Sequence, residues 1–448
     1  MRFSVARLAH NPLRIVAAVA LCLVAMLAFL SPGLSIVRDL SDEALGAPGI
    51  PRVAWRLHRA LAPRFEAWAR ERVASGSAAT VSLHDVPTTE WPMFSAVFFL
   101  MATDQLEARW DGGDHSGGVR PMDYAAGAVA AARDLVLDPT HHTWVRTHWG
   151  DGYLHRENVF FRSLLIAALT SYQRLTHDGT ALAMLRDQVD TLAGDLDGSK
   201  LGVLSDYPGE CYPIDVVAGL GFMRHADAVL GSRHEAFFAR AVRGFVGDMA
   251  DPLGLVPYRV DVSSGREEQL SRGIGNSWVS VYATDLWPDL ARDWYARYER
   301  SFWQDHGWAA GFREYPRGSR EGEWLTEVDA GPVLDGFGTS ASAFGIAAAR
   351  RNGRFDQAYT LSAEMLAVSW PLPDGTLLGP RLLSHAAAAP YLGEAGLLYF
   401  LTVQPAERLP IVKGGHAAGL VYVALALYFG LAALLLWGSF RLAAVRAS

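Results

Sequence analysis

Residues 338–370, "GTSASAFGIAAARRNGRFDQAYTLSAEMLAVSW", hold two helical segments of opposite character. Ser340 to Ala349 is small and apolar nearly all round, whereas Phe355 to Trp370 carries acids on one face. A helix that is apolar all round is buried, and an amphipathic one faces water. The contrast recurs upstream, where Val216 to Val229 is again of the buried kind. Apolar residues return at helical spacing in successive segments from 92 to 405, separated by loops rich in Gly, Pro, Trp and Asp. No run of alternating strands divides them, although "GLVPYRVDVSSG" (254–265) reads as a short hairpin. Inner and outer helices in alternation predict an all-α fold, the (α/α)6 barrel or toroid, spanning 90–405. An open superhelix of helical hairpins is the alternative, and no strict repeat period is visible. The amphipathic stretch "VAWRLHRALAPRFEAWARERV" (53–73), within a juxtamembrane segment 38–89, is expected to lie beside the barrel or on a membrane face.

Both ends are membrane-like. An uncharged run from Ile15 to Leu30 continues to Val37, and a second extends from Ala417 to Phe440. Each is near the ~20 residues a helix needs to cross hydrocarbon. No small-x-small cleavage site follows Leu30, so the first is read as an uncleaved anchor, with a cleaved signal peptide as the alternative. Arg2, Arg7 and Arg14 precede the first run, and Arg441 and Arg446 follow the second. The inner flanks hold Arg38 and Lys413, diluted by Asp39, Asp42 and Glu43. The positive-inside rule then predicts a cytoplasmic N-terminus (1–14), spans at 15–37 and 417–440, a linker at 406–416 and a cytoplasmic tail (441–448). The domain between them would face the periplasm or the exterior of a bacterial-type inner membrane, with the lipid bilayer as a partner.

The chain has 448 residues, 50% of them hydrophobic, and a formal net charge of −7. No stretch is basic enough to track phosphates, so nucleic acid is not an expected partner. The two cysteines are Cys22, inside the first apolar run, and Cys211. They give no disulfide framework, which leaves Cys211 either buried and inert or part of a site. No compact ligand motif is present, and no metal site is expected.

Groups with chemistry collect just before the buried helices. "DYPGECYPID" (206–215) offers Glu210 and Asp215 as acid/base groups, Tyr207 as a lining residue, and Cys211 as a thiol near a helix N-terminus. Equally, Pro213 suits a first helical position and Asp215 a first turn, which needs no function at all. "HWGDGYLHREN" (148–158) crowds Asp151, Tyr153, His155, Glu157 and Asn158 at a loop-to-helix junction. His155 is its attractive proton carrier, since imidazole titrates near neutral pH. "SRGIGNSW" (271–278) adds Arg272, Asn276 and Trp278, and "EVDAGP" (327–332) adds Glu327 and Asp329. "EWP" (90–92) and "YLGEAG" (391–396) stand in the same position. Six such loops before six inner helices would converge on one mouth, where helix N-termini favour carboxylates and anions.

With these loops in hand, the chain resembles the linalool dehydratase/isomerase family over roughly residues 90–405. The likeness lies in "GDGYLHRENVFF", "NSWVSVYATDLWPDLARDWYARYERSF" and "DAGPVLDGFGTSASAFGIAAARRNG". It implies an (α/α)6 barrel, no metal or organic cofactor, and a ring of identical subunits. That family carries two cysteines, a histidine and an aspartate in catalysis; the corresponding places here are Ser205, Ile214, Leu164 and Ser95. The resemblance implies lyase or isomerase chemistry on a hydroxylated terpenoid or lipid-like small molecule. An acid (Asp215 or Glu210) would protonate a leaving hydroxyl, and His155 would take the neighbouring proton. A glycan-active envelope enzyme using separated carboxylates, and a non-catalytic binding or assembly module, are the other readings.

Overall fold

A computed structural model describes residues 12–80, 85–247, 249–319 and 322–444. Arg2, Arg7 and Arg446, used above to orient the chain, lie outside the described residues.

Six inner helices form a closed ring: Trp91–Asp111, Val159–Thr176, Pro213–Leu230, Gly273–Leu286, Thr339–Arg351 and Leu392–Thr402. Each packs against the next, and the sixth returns to the first. The first five are each followed by an outer helix: Pro121–Leu137, Leu182–Gly198, Glu235–Val246, Pro288–Phe302 and Phe355–Val368. The architecture is therefore the (α/α)6 toroid. The all-round apolar character of the inner helices has its cause in this ring, because each touches two inner neighbours and an outer cover. Small residues permit the approach. A side chain at Gly221 would start 2.6 Å from Cβ of Tyr282, and one at Gly219 would start 2.4 Å from Oγ of Ser163.

The sixth inner helix has no outer helix after it, and the helix Arg52–Ser75 occupies that place. It packs between Pro121–Leu137 and Leu392–Thr402. Phe65 is fully buried and stacks on Phe99 of the first inner helix with centroids 4.6 Å apart. His58, also buried, bonds Tyr124 Oη through Nδ1 at 2.7 Å and Thr103 Oγ1 through Nε2 at 2.9 Å. Burial pushes His58 down to about 3, so it serves as a neutral bridge.

Inner helices begin at one end of the ring and finish at the other. The far end is closed by Asp104 with Arg174 at 3.2 Å, and by Asp285 with His225 (2.9 Å) and Arg351. The near end carries small antiparallel sheets that the sequence reading mostly passed over. Arg259–Val260 pairs with Glu267–Gln269, so a hairpin does start in 254–265 but its second strand lies beyond the expected stretch. Trp303–Asp305 pairs with Ala310–Phe312, and Trp324–Glu327 pairs with Gly331–Leu334, which in turn pairs with Phe337–Gly338. These strands run for two to four residues, too short for an alternating pattern to stand out.

The terminal helices are long and apolar enough to cross a membrane: Pro12–Leu40, which includes a π-helical turn at Ala25–Leu30, and Gly419–Ala444. They run antiparallel, with Ser439 Oγ donating to Ala18 O at 2.7 Å. Both dock on the outer helix Phe355–Val368 through Ile36, Ala363, Ala367, Val421 and Tyr428.

If Arg52–Ser75 is integral to the ring, Phe65→Ala should cost about 3–5 kcal/mol, the usual loss for a buried phenylalanine. Thermal unfolding of the full chain in detergent would show it as a clear fall in midpoint. An unchanged midpoint would separate this helix from the barrel.

Candidate active site

A cavity of about 530 Å³ opens at the end where the inner helices begin. All six starts contribute: Trp91, Phe160, Asp215, Gly275, Ser340 and Leu392 each line it. The interior wall is aromatic and apolar, built by Phe94, Phe98, Trp278, Phe344, Leu397 and Phe400. Edge-to-face pairs lock these rings, as between Trp278 and Phe344 at 5.2 Å and between Phe94 and Trp278 at 5.9 Å. The mouth is polar, with Glu90, Tyr207, Glu210, Tyr212, Asp215, Tyr258 and Asp329. Val328, Asp329 and Leu383 line the cavity yet remain exposed, so the mouth is open.

Of the four carboxyls that line this space, Glu90, Asp215 and Asp329 feel one another. Asp215 sits in the first turn of the third inner helix. Among the described residues no side chain or backbone group bonds its carboxyl. Burial, then repulsion from Asp206 and Asp329, raises it well above the carboxylate range. Glu90 is the residue before the first inner helix, and Tyr207 Oη donates to it. Burial lifts Glu90 to about 8 against that bond, with Asp329 and Asp215 adding repulsion. Asp329 stands in the turn of the Trp324–Leu334 hairpin and accepts from Tyr258 Oη at 2.8 Å. Burial beside an apolar wall therefore favours the protonated forms of Glu90 and Asp215, and the neighbouring carboxyls add to it.

Behind them, fully buried Asp206 accepts backbone N–H bonds from Phe160 (2.8 Å) and Tyr212 (2.9 Å). It thereby ties the start of the second inner helix to the loop before the third. Burial still raises it, with Glu90 and Glu157 contributing. Glu210 lies nearer the outside, accepting from Tyr212 Oη at 2.7 Å, with Arg259 at 3.9 Å.

Of the residues singled out by sequence, Glu210, Asp215, Tyr207, Trp278 and Asp329 line the cavity. The others do not. His155 is exposed and pairs with Asp187 at 2.9 Å on the outer surface, away from any substrate position. Cys211 is fully buried, its backbone bridged to Val260, and burial pushes its thiol up, away from the reactive thiolate. Asp151 is an exposed loop residue, and Tyr153 Oη meets His142 Nδ1 at 2.9 Å. Glu157 accepts from Ser205 N at 2.8 Å, and Asn158 is buried with a left-handed backbone before the second inner helix. Asn276 Nδ2 donates to Val256 O and Arg272 O. Arg272 bonds Glu314 (2.7 Å) and Glu327, and lies over the Tyr258 ring at 4.5 Å. It thus braces the hairpin beside the turn that carries Asp329.

Glu90, Tyr212 and Tyr258 are cavity residues that went unnamed as sites. Glu90 had a signal, an acid directly before a Trp-Pro helix start, but so do ordinary caps. The wall aromatics had none, because Phe94 and Phe98 at helical spacing read as core. Of the four places where the resembling family keeps catalytic groups, Ile214 alone lines the cavity. No cluster of three or more metal-ligating side chains occurs among the described residues.

The acid cluster gives a pH dependence with a definite sign. Glu90 is raised from 4.5 to about 8 in the folded chain. Its stabilising protonated form is fully favoured below pH 4.5 and is lost as pH rises toward 8. Unfolding midpoints should therefore fall between pH 5 and 8, and Glu90→Gln should flatten that fall. Equal slopes for the two proteins would overturn the assignment.

No family model matches the chain, and no curated protein matches it. Among solved structures, the chain is similar to a family 76 glycoside hydrolase from a bovine Bacteroides thetaiotaomicron strain. That match has 13% identity and a TM-score of 0.39, covering 70% of this chain and 68% of the other. It is also similar to a D-mannose isomerase, at 10% identity and a TM-score of 0.40, covering 68% of this chain and 86% of the other.

Proposed function

We propose that the barrel is a cofactor-independent acid/base lyase or isomerase acting on a small, mostly apolar alcohol. This is chemistry of the linalool dehydratase/isomerase kind. The observation that carries the reading is Asp215, a carboxyl that faces an aromatic cavity with no bonding partner among the described residues, and whose burial favours the protonated form. At about 530 Å³ the cavity falls within the roughly 300–1,000 Å³ of small-molecule sites. Its apolar depth suits a hydrocarbon tail, with the hydroxyl left at the acids.

In that pose Asp215 gives its proton to the hydroxyl, the C–O bond breaks, and water leaves. The positive charge that develops on carbon is stabilised by the faces of Trp278 and neighbouring phenylalanines. Asp329 takes a proton from the adjacent carbon, its electron pair closing the alkene, and the net change is loss of water. Isomerisation follows if water returns to the other end of an allylic cation. Glu90, poised near 8, can pass the proton back within the cluster. Anchoring of the chain in a bilayer, with the barrel on the exterior face and copies of the chain in a ring, belongs to the same proposal.

A second reading, a glycan-active enzyme, draws on Glu210, Asp329 and Trp91 around the open mouth, since separated carboxylates and a stacking ring suit sugars. The wall deeper in favours the first reading, because it offers few hydrogen-bonding partners for a sugar's hydroxyls.

Gas chromatography of terpenoid alcohols incubated with the full chain tests the chemistry. Asp215→Asn and Asp329→Asn should each lower kcat/KM by roughly 10²–10⁴-fold. His155→Ala and Cys211→Ser should leave it unchanged, because neither group reaches the cavity. Wild-type turnover by Asp215→Asn would exclude the mechanism, and hydrolysis of oligosaccharides with no action on alcohols would favour the second reading.

A further inference from the structure

The terminal helices fix how the barrel meets a membrane. Inner helices start at the cavity and outer helices run back toward it, so Phe355–Val368 ends at the mouth. The next segment confirms this: Gly379 N donates to Ser369 O at 2.7 Å, Leu378 N donates to Trp370 O, and Pro380 and Leu383 line the cavity. The last helix runs parallel to that outer helix. His416 O, just before it, accepts from Thr360 Oγ1 at 2.9 Å, and Tyr428 meets Trp370 with ring centroids 5.1 Å apart. The first helix runs the other way. Leu40 O accepts from Tyr359 Oη at 3.2 Å, and Phe29 meets Trp370 at 5.5 Å.

Residues 12–28 and 429–444 consequently project beyond the mouth, not beyond the closed end. At ~1.5 Å per residue they extend about 24 Å, close to a hydrocarbon core of ~30 Å. Their outward side chains are apolar and uncovered, as at Val16, Leu23, Leu434 and Phe440. Phe29, Trp370 and Tyr428 form an aromatic group at the level of the mouth, as at a membrane–water interface. The hairpin whose turn lines the cavity, and the segment that follows Pro380, expose apolar side chains: Trp324 is 71% exposed and Leu382 74%, with Leu334 and Leu383 about half exposed.

We propose that the barrel stands mouth-first on the bilayer, so that its alcohol substrate arrives from lipid and not through water. Trp324 and Leu334 on the hairpin, and Leu382 beside the sixth inner helix, dip into the lipid surface around the opening. This rests on the dehydratase reading for the identity of the substrate, but the orientation stands without it. The ligand class is a small alcohol that partitions into membranes, with its tail entering the aromatic cavity and its hydroxyl meeting Asp215 and Glu90.

The test uses the full chain in phosphatidylcholine vesicles, with Cys22→Ser removing the accessible native thiol. An environment-sensitive fluorophore is attached at Leu382→Cys, at Trp324→Cys, or at Val119→Cys near the closed end. Lipid-borne nitroxide should quench the two mouth labels and spare the third, while aqueous iodide should do the reverse. Mouth labels open to iodide and untouched by the nitroxide would overturn the orientation. In parallel, Leu382→Asp combined with Trp324→Asp should raise KM for a membrane-dissolved alcohol by about tenfold, a loss of ~1.4 kcal/mol, at unchanged kcat. An unchanged KM would overturn delivery from lipid. Nitroxide quenching at the mouth in a protein that turns over no alcohol would uphold the orientation and overturn the dehydratase reading.

Discussion

The ring of inner helices closes only if its last member is covered, and the chain supplies that cover from far away in sequence. Leu392–Thr402 is the shortest inner helix and has no outer partner following it. Arg52–Ser75 fills the gap, with Phe65 on Phe99 and His58 bridging Thr103 and Tyr124. Closure has two consequences. It brings six helix starts around one opening, and it walls that opening from below with side chains that have no other place to go. The cavity is a by-product of covering the ring, and its aromatic lining is continuous with the core.

Two electrostatic effects compete at the opening. Helix N-termini favour negative charge, each by about 0.3–1 kcal/mol and at most ~2. Burial and the neighbouring carboxyls oppose it. For Glu90 the net shift from 4.5 to about 8 corresponds to roughly 5 kcal/mol against ionisation, even with Tyr207 donating to it. Burial therefore wins at Glu90, which favours its proton where an unshifted carboxyl would lose it. Asp206 makes the point more sharply. It accepts two backbone N–H bonds, an arrangement that ordinarily favours the anion, and it is still raised.

Much of this was legible in the sequence, for identifiable reasons. Val216 to Val229 and Ser340 to Ala349 lack a polar face, and such helices can only be interior, so the toroid followed. Asp215 and Tyr207 could be placed at the mouth because Pro213 marks a helix start. The strand pairs were hidden by their length, and Glu327 and Asp329 read as a plain loop although Glu327 ends a strand and Asp329 stands in the hairpin turn. His155 misled because its type suggests proton transfer, while its place was decided by Asp187 on the next outer helix, a contact no local pattern announces. Cys211 misled in the same way, since position near a helix start does not say which way a side chain faces. Its backbone bridge to Val260 sends it into the core. The sixth outer helix was visible as an amphipathic stretch, but only ring closure shows which surface it covers.

Asp329 stands in a hairpin turn, and its position depends on a chain of contacts leading away from the cavity. Tyr258 holds its carboxyl, Arg272 lies over the Tyr258 ring, and Arg272 is gripped in turn by Glu314 and Glu327. Glu314 is fully buried and would be costly as an anion by itself; Arg272 offsets that cost, though burial still raises it to about 7. Glu327 ends the strand that leads directly into the turn carrying Asp329. One guanidinium thus braces both the tyrosine that holds the acid and the strand that delivers it. Arg272 does not itself line the cavity, so its contribution to any chemistry there is positional, through the placement of Asp329 relative to Asp215.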